Sequence, residues 1–282
     1  MDRALVILNP RARRGTATRD YERVRSEVEA CFRVRHTLID STGQWLRALD
    51  EARHDGVERV LSVGGDGTLH TVANAVMASA WPNVALGAIG VGSSNDFHKP
   101  CRTRVRGVPV RIGAPVPRDV GLATYEDAAG VTHMRWFFVS ASIGFVARAN
   151  RSFSGGGPLA IARAAASALL RHENIDARIE RRETRLSNLS VMLTPYLAGA
   201  FRYDTKVPRG RFALHLCQDL ERRGLVRAMA KLFCGRFVGE TWCARTSMVE
   251  LERDEDLELD GELFRARRIR FEAVPDALAV CS

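Results

Sequence analysis

Lysine is nearly missing from this chain. Of its 42 basic residues only Lys99, Lys206 and Lys231 are lysine, so the net charge of +9 is carried by arginine. No G-x-x-x-x-G-K-[ST] segment exists, which excludes a P-loop nucleotide site. Cysteine is sparse and scattered: Cys31, Cys101, Cys217, Cys234, Cys243 and Cys281 show no C-x-x-C and no Cys/His ligand spacing. That argues against zinc and against a disulfide framework, and reduced thiols suit the cytoplasm. Long apolar runs are absent as well. The longest, Trp136 to Ala147 and Leu159 to Leu170, fall short of the roughly 20 residues a membrane-spanning helix needs, and Arg163 interrupts the second. The start, Met1-Asp2-Arg3 followed by Ala4 to Leu8, has no signal-peptide h-region, and no repeat or low-complexity tract is seen. None of the seven histidines forms a catalytic arrangement with serine and aspartate, and His70 reads as a helix surface residue. The expectation is a cytoplasmic protein.

What is present is ordinary for a globular chain: 46% hydrophobic and 27% charged residues over 282 positions, enough for two modest cores. The basic balance, with a pI near 9.8, predicts attraction to anionic surfaces, either nucleic acid or the inner face of a bilayer. No recognition helix or aromatic-basic interleaving supports a specific nucleic-acid partner. The first hundred residues alternate buried-strand runs (Leu5 to Leu8, Val34 to Ile39, Val60 to Val63, Val84 to Ile89) with helical patterns near 18–31, 44–54 and 67–79. After Pro100 the pattern turns to β-like segments at Val108 to Ile112, Trp136 to Ile143, Asn188 to Leu193 and Phe212 to Cys217. Further ones follow at Met248 to Leu251, Leu257 to Asp260 and Ile269 to Phe271. Two helices interrupt them, Pro158 to Arg171 and a basic amphipathic one over Leu225 to Phe237. The expected fold class is α/β, with an N-terminal Rossmann-like parallel-sheet domain over 1–108 and a β-rich, sandwich-like domain over 109–276.

The chemistry is concentrated at Leu61-Ser-Val-Gly-Gly-Asp-Gly-Thr-Leu-His70, where a strand run meets a glycine-rich turn. Gly64, Gly65 and Gly67 lack the Cβ atoms that would hold an anion away from the backbone, and they permit positive φ. Asp66 beside phosphate oxygens is repulsive unless a divalent cation lies between them, which points to magnesium with a nucleotide. Thr68 is placed to cap the following helix, whose positive end would face the phosphates. Asn9 and the run Gly92 to Asn95 also fall at the carboxyl ends of strands, where such sheets bind ligands. Three turns are therefore expected to converge.

The pentapeptide GGDGT at 64–68 resembles the nucleotide-binding signature of the diacylglycerol and sphingosine kinase superfamily, shared also by NAD and 6-phosphofructo kinases. Asn9-Pro10 leading to Gly15, Gly92-Ser93-Ser94-Asn95-Asp96-Phe97, Asp260-Gly261-Glu262 and Val274-Pro275-Asp276-Ala277-Leu278 resemble further segments of the lipid kinases, in the same order. The resemblance implies two domains, with a final strand near 277–282 returning to the first. It implies ATP and Mg²⁺ as cofactors, with Asn9, Gly64, Gly65, Asp66, Gly67, Thr68, Ser93, Ser94, Asn95 and Asp96 around the nucleotide and Asp66 toward the metal. For Asn95 and Asp96 an Asx turn is the alternative. The catalytic candidates are Asp66, Asp260 and Glu262, the family's proton acceptor aligning on Glu262, and Gly261 lets the turn project both of its acids. The implied partner is a diacylglycerol-like or sphingoid-like lipid at the membrane surface, with peripheral attachment at its inner face; a homo-oligomer stays open.

Three departures concern the acceptor half. Gly144-Phe145-Val146-Ala147 has valine where the family commonly has an acid, Arg209 stands in the segment similar to one that holds a structural Mg²⁺ in some members, and His70-Thr71 replaces Asn-Glu. Two readings follow. One is an ATP-dependent lipid kinase; the other is a nucleotide- or lipid-binding homologue without transfer.

Overall fold

A computed structural model of the chain describes residues 2–81, 83–153, 158–199 and 201–282. Backbone contacts divide it into two units, Met1–Arg118 with Asp276–Ser282, and Asp119–Pro275. The architecture is mixed α/β, and the second unit is rich in sheet.

The first unit runs β1 (Arg3–Leu8), α1 (Ala12–Gly15), α2 (Ala17–Glu22), α3 (Arg25–Cys31), β2 (Arg33–Leu38) and α4 (Gln44–His54). It continues through β3 (Arg59–Gly64), α5 (Asp66–Ala78), β4 (Ala85–Gly90), a 3₁₀ turn at Asp96–His98, β5 (Arg104–Val105) and β6 (Val108–Arg111). Strands β2, β1, β3 and β4 pair in parallel in that order. The three inner strands are buried nearly throughout, which is why their sequences are continuous aliphatic runs and not alternating ones. Edge strand β2 stays largely exposed. Helix α4 buries Trp45, Ala48, Leu49 and Ala52, an i, i+3, i+4, i+7 stripe. The single helix expected over 18–31 is broken at Val24, whose φ of −118° and ψ of −1° leave helical geometry while its β-branched side chain is fully buried. Packing there outweighs one uninterrupted hydrogen-bond ladder.

The second unit contains β7 (Pro115–Glu126, which starts in the first unit and enters the second at Asp119), β8 (Thr132–Phe137), β9 (Ser140–Gly144), α6 (Phe145–Arg151), α7 (Pro158–Leu170), β10 (Ile175–Ile179) and β11 (Arg182–Met192). Then come β12 (Tyr196–Leu197), β13 (Phe201–Arg202), β14 (Phe212–Gln218), α8 (Arg222–Phe233), β15 (Glu240–Ala244), β16 (Thr246–Leu259) and β17 (Glu262–Cys281). The last residues of β17 belong to the first unit, where Ala279 and Val280 pair in parallel with β4. Antiparallel pairing runs β15, β14, β11, then β10 and β9 together beside β16, and from β16 to β17. The core gathers Phe137, Ile143, Leu189, Phe212, Leu214 and Phe271, each fully buried, with the Phe137 and Phe271 rings edge to face at 6.1 Å. Burying one such side chain contributes about 1.5–3 kcal/mol.

Two expectations on strands are corrected. The run Trp136 to Ile143 is not one strand, because the backbone N–H groups of Phe138 and Val139 donate to the Asp260 carboxylate instead of to a neighbouring strand. Conversely, Met248 to Leu251 and Leu257 to Leu259 are parts of one strand, β16, whose register with β17 shifts between Glu250 and Glu255. Helix α8 ends at Phe233, short of the expected Phe237, since Gly235 takes φ +76° and its N–H closes the end on the Leu232 carbonyl.

Candidate active site

In the first unit the glycine turn lies between β3 and α5. Its glycines do not serve by positive φ: Gly64, Gly65 and Gly67 all lie outside that region. The need is for closeness. A Cβ on Gly64 would strike the Thr68 side chain, 2.6 Å from its Cγ2, and one on Gly65 would lie 3.1 Å from the Gly92 Cα. A Cβ on Gly92 would run into Gly65 in return and come 2.9 Å from the Asn95 Oδ1. The turn after β3 and the loop after β4 therefore touch backbone to backbone, which only a glycine pair allows.

Thr68 does not cap the helix. Gly65 is the N-cap and accepts the Leu69 N–H at 3.0 Å, while Thr68 sits one turn inside, buried, with its Oγ1 accepting from the Asn9 Nδ2 at 3.0 Å. Asn9 also accepts the Arg11 N–H on its Oδ1 at 3.0 Å, and so ties the turn after β1 to α5. The N–H groups of Asp66, Gly67 and Thr68, in the first turn of a 13-residue helix, have no helical acceptor by geometry. Such an N-terminus can receive an anion.

Asp66 spans the two loops. One carboxylate oxygen accepts the Asp96 N–H at 3.0 Å and the other the Phe97 N–H at 3.1 Å. Asn95, at φ +51°, accepts the Gly92 N–H at 3.0 Å and donates to the Gly90 and Gly92 carbonyls at 3.2 and 3.1 Å, so its amide organises the loop. Asp96 is buried and pairs with Lys99 at 2.7 Å. Ser93 is exposed and Ser94 half-buried, and no hydrogen bond engages either hydroxyl among the described residues. His70, expected on the surface, is buried. The Asn9, Gly64–Thr68 and Gly92–Asp96 segments are thus brought together within one unit.

Sequence reasoning missed the cations around this loop. The Arg118 and Arg111 guanidinium groups lie 4.3 and 5.6 Å from the Phe97 ring centre, and Lys99 stands beside Asp96. Burial first, then the charges of Arg111, Arg118 and Arg104, push His98 down to about 3, so its imidazole is neutral. Only the aromatic and basic composition of 97–118 hinted at this cluster.

In the second unit the Asp-Gly-Glu segment is a two-residue hairpin turn. Leu259 pairs with Glu262, and the intervening Asp260 and Gly261 take φ +50° and +97°, the type I′ pattern. The two acids are not both projected. Asp260 is buried and turns back into the unit, accepting the Phe138, Val139 and Ser140 N–H groups at 2.8, 2.8 and 3.1 Å. Glu262 is exposed, and no hydrogen bond or ion pair engages its carboxylate among the described residues. The turn is held from its flanks: Asn150 donates to the Gly261 carbonyl at 2.6 Å, and the buried Glu258, an acid that the sequence reading passed over, accepts the Gly261 N–H. Val146 is half-buried, its N–H bonded to the Asn188 Oδ1 at 2.9 Å. The Gly210 N–H, beside Arg209, donates to Asp119.

For a magnesium-nucleotide, the first unit offers a fitting frame: a Cβ-free contact between Gly65 and Gly92, the first-turn N–H groups of α5, and the Asp66 carboxylate at the same turn. No group of three or more His, Cys, Asp or Glu side chains suited to a metal occurs among the described residues, but Mg²⁺ held with phosphates takes only one or two carboxylates.

The chain thus combines a parallel α/β unit, with a glycine turn at a helix N-terminus, and a sheet-rich one. Residues 3–110 match the family profile described as Diacylglycerol kinase catalytic domain, the family that the motifs resemble. The chain is 32% identical over 147 residues to a Citrobacter koseri protein named "Probable lipid kinase YegS-like", and 36% identical over 108 residues to an Escherichia fergusonii protein named "Probable lipid kinase YegS". These matches cover 51% and 38% of this chain and 47% and 34% of the relatives, so the chain spans about half or less of the length of the curated relatives it matches. Among solved structures, a diacylglycerol kinase from Bacillus anthracis superposes with a TM-score of 0.68 at 16% identity, covering 99% of this chain and 96% of that one. Yeast NADH kinase complexed with NADH gives 0.52 at 11% identity, with 99% and 82% covered. At such identities the structural likeness speaks for the fold.

Proposed function

We propose that this protein is an ATP-dependent lipid kinase that transfers the γ-phosphate to a hydroxyl of a diacylglycerol-like or sphingoid-like lipid, working in the cytoplasm at the inner membrane face. The observation that carries it is the division among three acids. Asp66 and Asp260 are each bound by backbone N–H groups, while Glu262 is left exposed and unpaired. Phosphoryl transfer asks the protein mainly for positioning, charge stabilisation and one group to take a proton. In this reading the N–H groups of α5 and the Gly92–Asp96 loop seat the phosphates, and Asn9 and Thr68 hold the turn in place. Asp66 would hold Mg²⁺, which neutralises phosphate charge when bound. Glu262 accepts the acceptor hydroxyl's proton as that oxygen forms its bond to phosphorus and ADP leaves. Asp260 keeps the hairpin in shape.

A second reading, a nucleotide- or lipid-binding homologue without transfer, is favoured by Val146 and Arg209 standing where the resemblance leads one to expect acids. The two separate in one assay. Purified protein is incubated with Mg²⁺, γ-labelled ATP and a panel of diacylglycerol, monoacylglycerol, ceramide, sphingoid base and bacterial lipid extract, beside Asp66→Asn and Glu262→Gln. Label in one organic-phase product, lost in both folded variants, supports the kinase; ATP binding without any transfer supports the second reading.

A further inference from the structure

Two helices of the second unit turn apolar side chains outward. Helix α7 buries Ala164 and Ala168 but leaves Leu159 and Leu170 exposed at 71% and 70%. Ala162 and Ala166, also exposed, fall between them at helical spacing, so positions 159, 162, 166 and 170 form one stripe. Helix α8 divides the apolar set that its sequence suggested. Leu225 is buried and Met229 and Leu232 pack inward, whereas Val226 and Phe233 stand exposed at 46% and 70%. The two helices share one cluster, in which Ala165, Ala168 and Leu169 meet Leu225 and Met229, so both stripes belong to the same body. Packing explains the inward residues; of the outward ones Phe233 meets the Phe201 ring edge to face at 5.9 Å yet stays 70% exposed, and the exposed surface of the others is unexplained by it.

The charge around them is of one sign. Neither helix contains an acid, and Arg163, Arg222, Arg223, Arg227 and Lys231 are all exposed, with Arg171 and Arg236 just past the helix ends. Of the flanking acids, Glu173 pairs with Arg253 at 3.3 Å and Asp219 with Arg185 at 2.8 Å, which leaves Glu221 at the start of α8. An apolar stripe bordered by cations and free of internal acids is the pattern of a helix lying in a membrane interface. We propose that the α7–α8 face docks on an anionic lipid bilayer, with Leu159, Leu170, Val226 and Phe233 entering the headgroup–acyl boundary and the arginines meeting anionic headgroups. A second copy of the chain is a poorer occupant, because a two-fold contact through this face would set the same cations against one another. The proposal rests on the lipid-kinase reading for its purpose, and on exposure and charge for its evidence.

The full chain is floated with vesicles of phosphatidylcholine alone and with about 30% phosphatidylglycerol added, beside Leu159→Ser/Leu170→Ser/Val226→Ser/Phe233→Ser and Arg222→Gln/Arg223→Gln/Arg227→Gln/Lys231→Gln. All of these side chains are exposed, so far-UV circular dichroism should match the parent, and Tm should fall by no more than the loss of the Phe201–Phe233 ring contact brings. We expect binding to the anionic vesicles only, weakened roughly tenfold or more in each variant. Variants that float like the parent, or a parent that ignores anionic vesicles, would overturn the proposal. So would light scattering that shows a dimer converted to monomer by the serine substitutions. Phosphorylation of dioctanoylglycerol in solution is followed in parallel: its absence counts against the kinase reading and leaves the vesicle result to decide the surface.

Discussion

The two acid-bearing glycine turns look alike in sequence and do opposite things. At Gly65-Asp66-Gly67 the carboxylate reaches across to a second loop of its own unit and joins the turn after β3 to the loop after β4. At Asp260-Gly261-Glu262 the first acid reaches inward to Phe138–Ser140, and the carboxylate of the second is exposed and bonded to none of the described residues. Glycine also acts differently in the two places. In the first it lets backbones touch without positive φ; in the second Gly261 supplies the left-handed step of a hairpin. An acid in a glycine turn is thus first a connector, and the proposed chemistry falls to the acid whose side chain the backbone does not claim.

That contrast can be broken most directly at the hairpin. If Glu262 is the base, Glu262→Gln should lower kcat by about a hundred- to ten-thousandfold while leaving Tm unchanged. Equal activity in a folded variant would remove the residue from the chemistry. Asp260→Asn should behave in the reverse manner, losing on the order of 2–4 kcal/mol in urea unfolding, because an amide offers one acceptor oxygen and presents N–H groups to backbone donors. An unchanged unfolding midpoint would show that Asp260 does not anchor the turn.

At the first turn, Gly92→Ala places a methyl against the Gly65 backbone and should cost about 2–3 kcal/mol and weaken ATP binding together, read by unfolding and by calorimetry. ATP affinity equal to the parent's would mean that the close approach is not part of the nucleotide frame. The smallest expected effect is on pH. Burial, with Arg111, Arg118 and Arg104, lowers His98 to about 3, so between roughly pH 6.5 and 3 the unfolded chain binds the proton that the folded chain refuses. Stability is full above that window and falls as pH drops through it, by on the order of 2 kcal/mol at about pH 4.5. His98→Gln should flatten the decline, as measured by urea midpoints at about pH 7 and 4.5; an identical slope would exclude His98 as its source.

Much of the first unit was legible because its inner strands are buried nearly throughout and so write themselves as aliphatic runs, and because helices such as α4 print their buried face every three or four residues. The turns were legible as glycine clusters between those runs. What a turn's acid bonds to was not. Asp260 meets Phe138 across 122 positions of sequence and Asp66 meets Asp96 across 30, and no local pattern records such a partner. The same distance hid the break between β8 and β9, which looks like one apolar strand until Asp260 captures its N–H groups. In α8 the helical wheel showed an apolar face, but only packing showed which residues lie inward and which are left to solvent.

By itself, then, the sequence determined the alternation of strand and helix, the glycine turns and the family resemblance, since these depend on residue type at short spacing. Tertiary structure alone decided that Thr68 bonds Asn9 and does not cap, that the glycines serve contact and not positive φ, and that of Asp66, Asp260 and Glu262 only the last is unclaimed. The physical reason is that hydrogen-bond partners and burial are properties of what folding brings close, and a carboxylate becomes a brace or a free acid according to the N–H groups that arrive beside it.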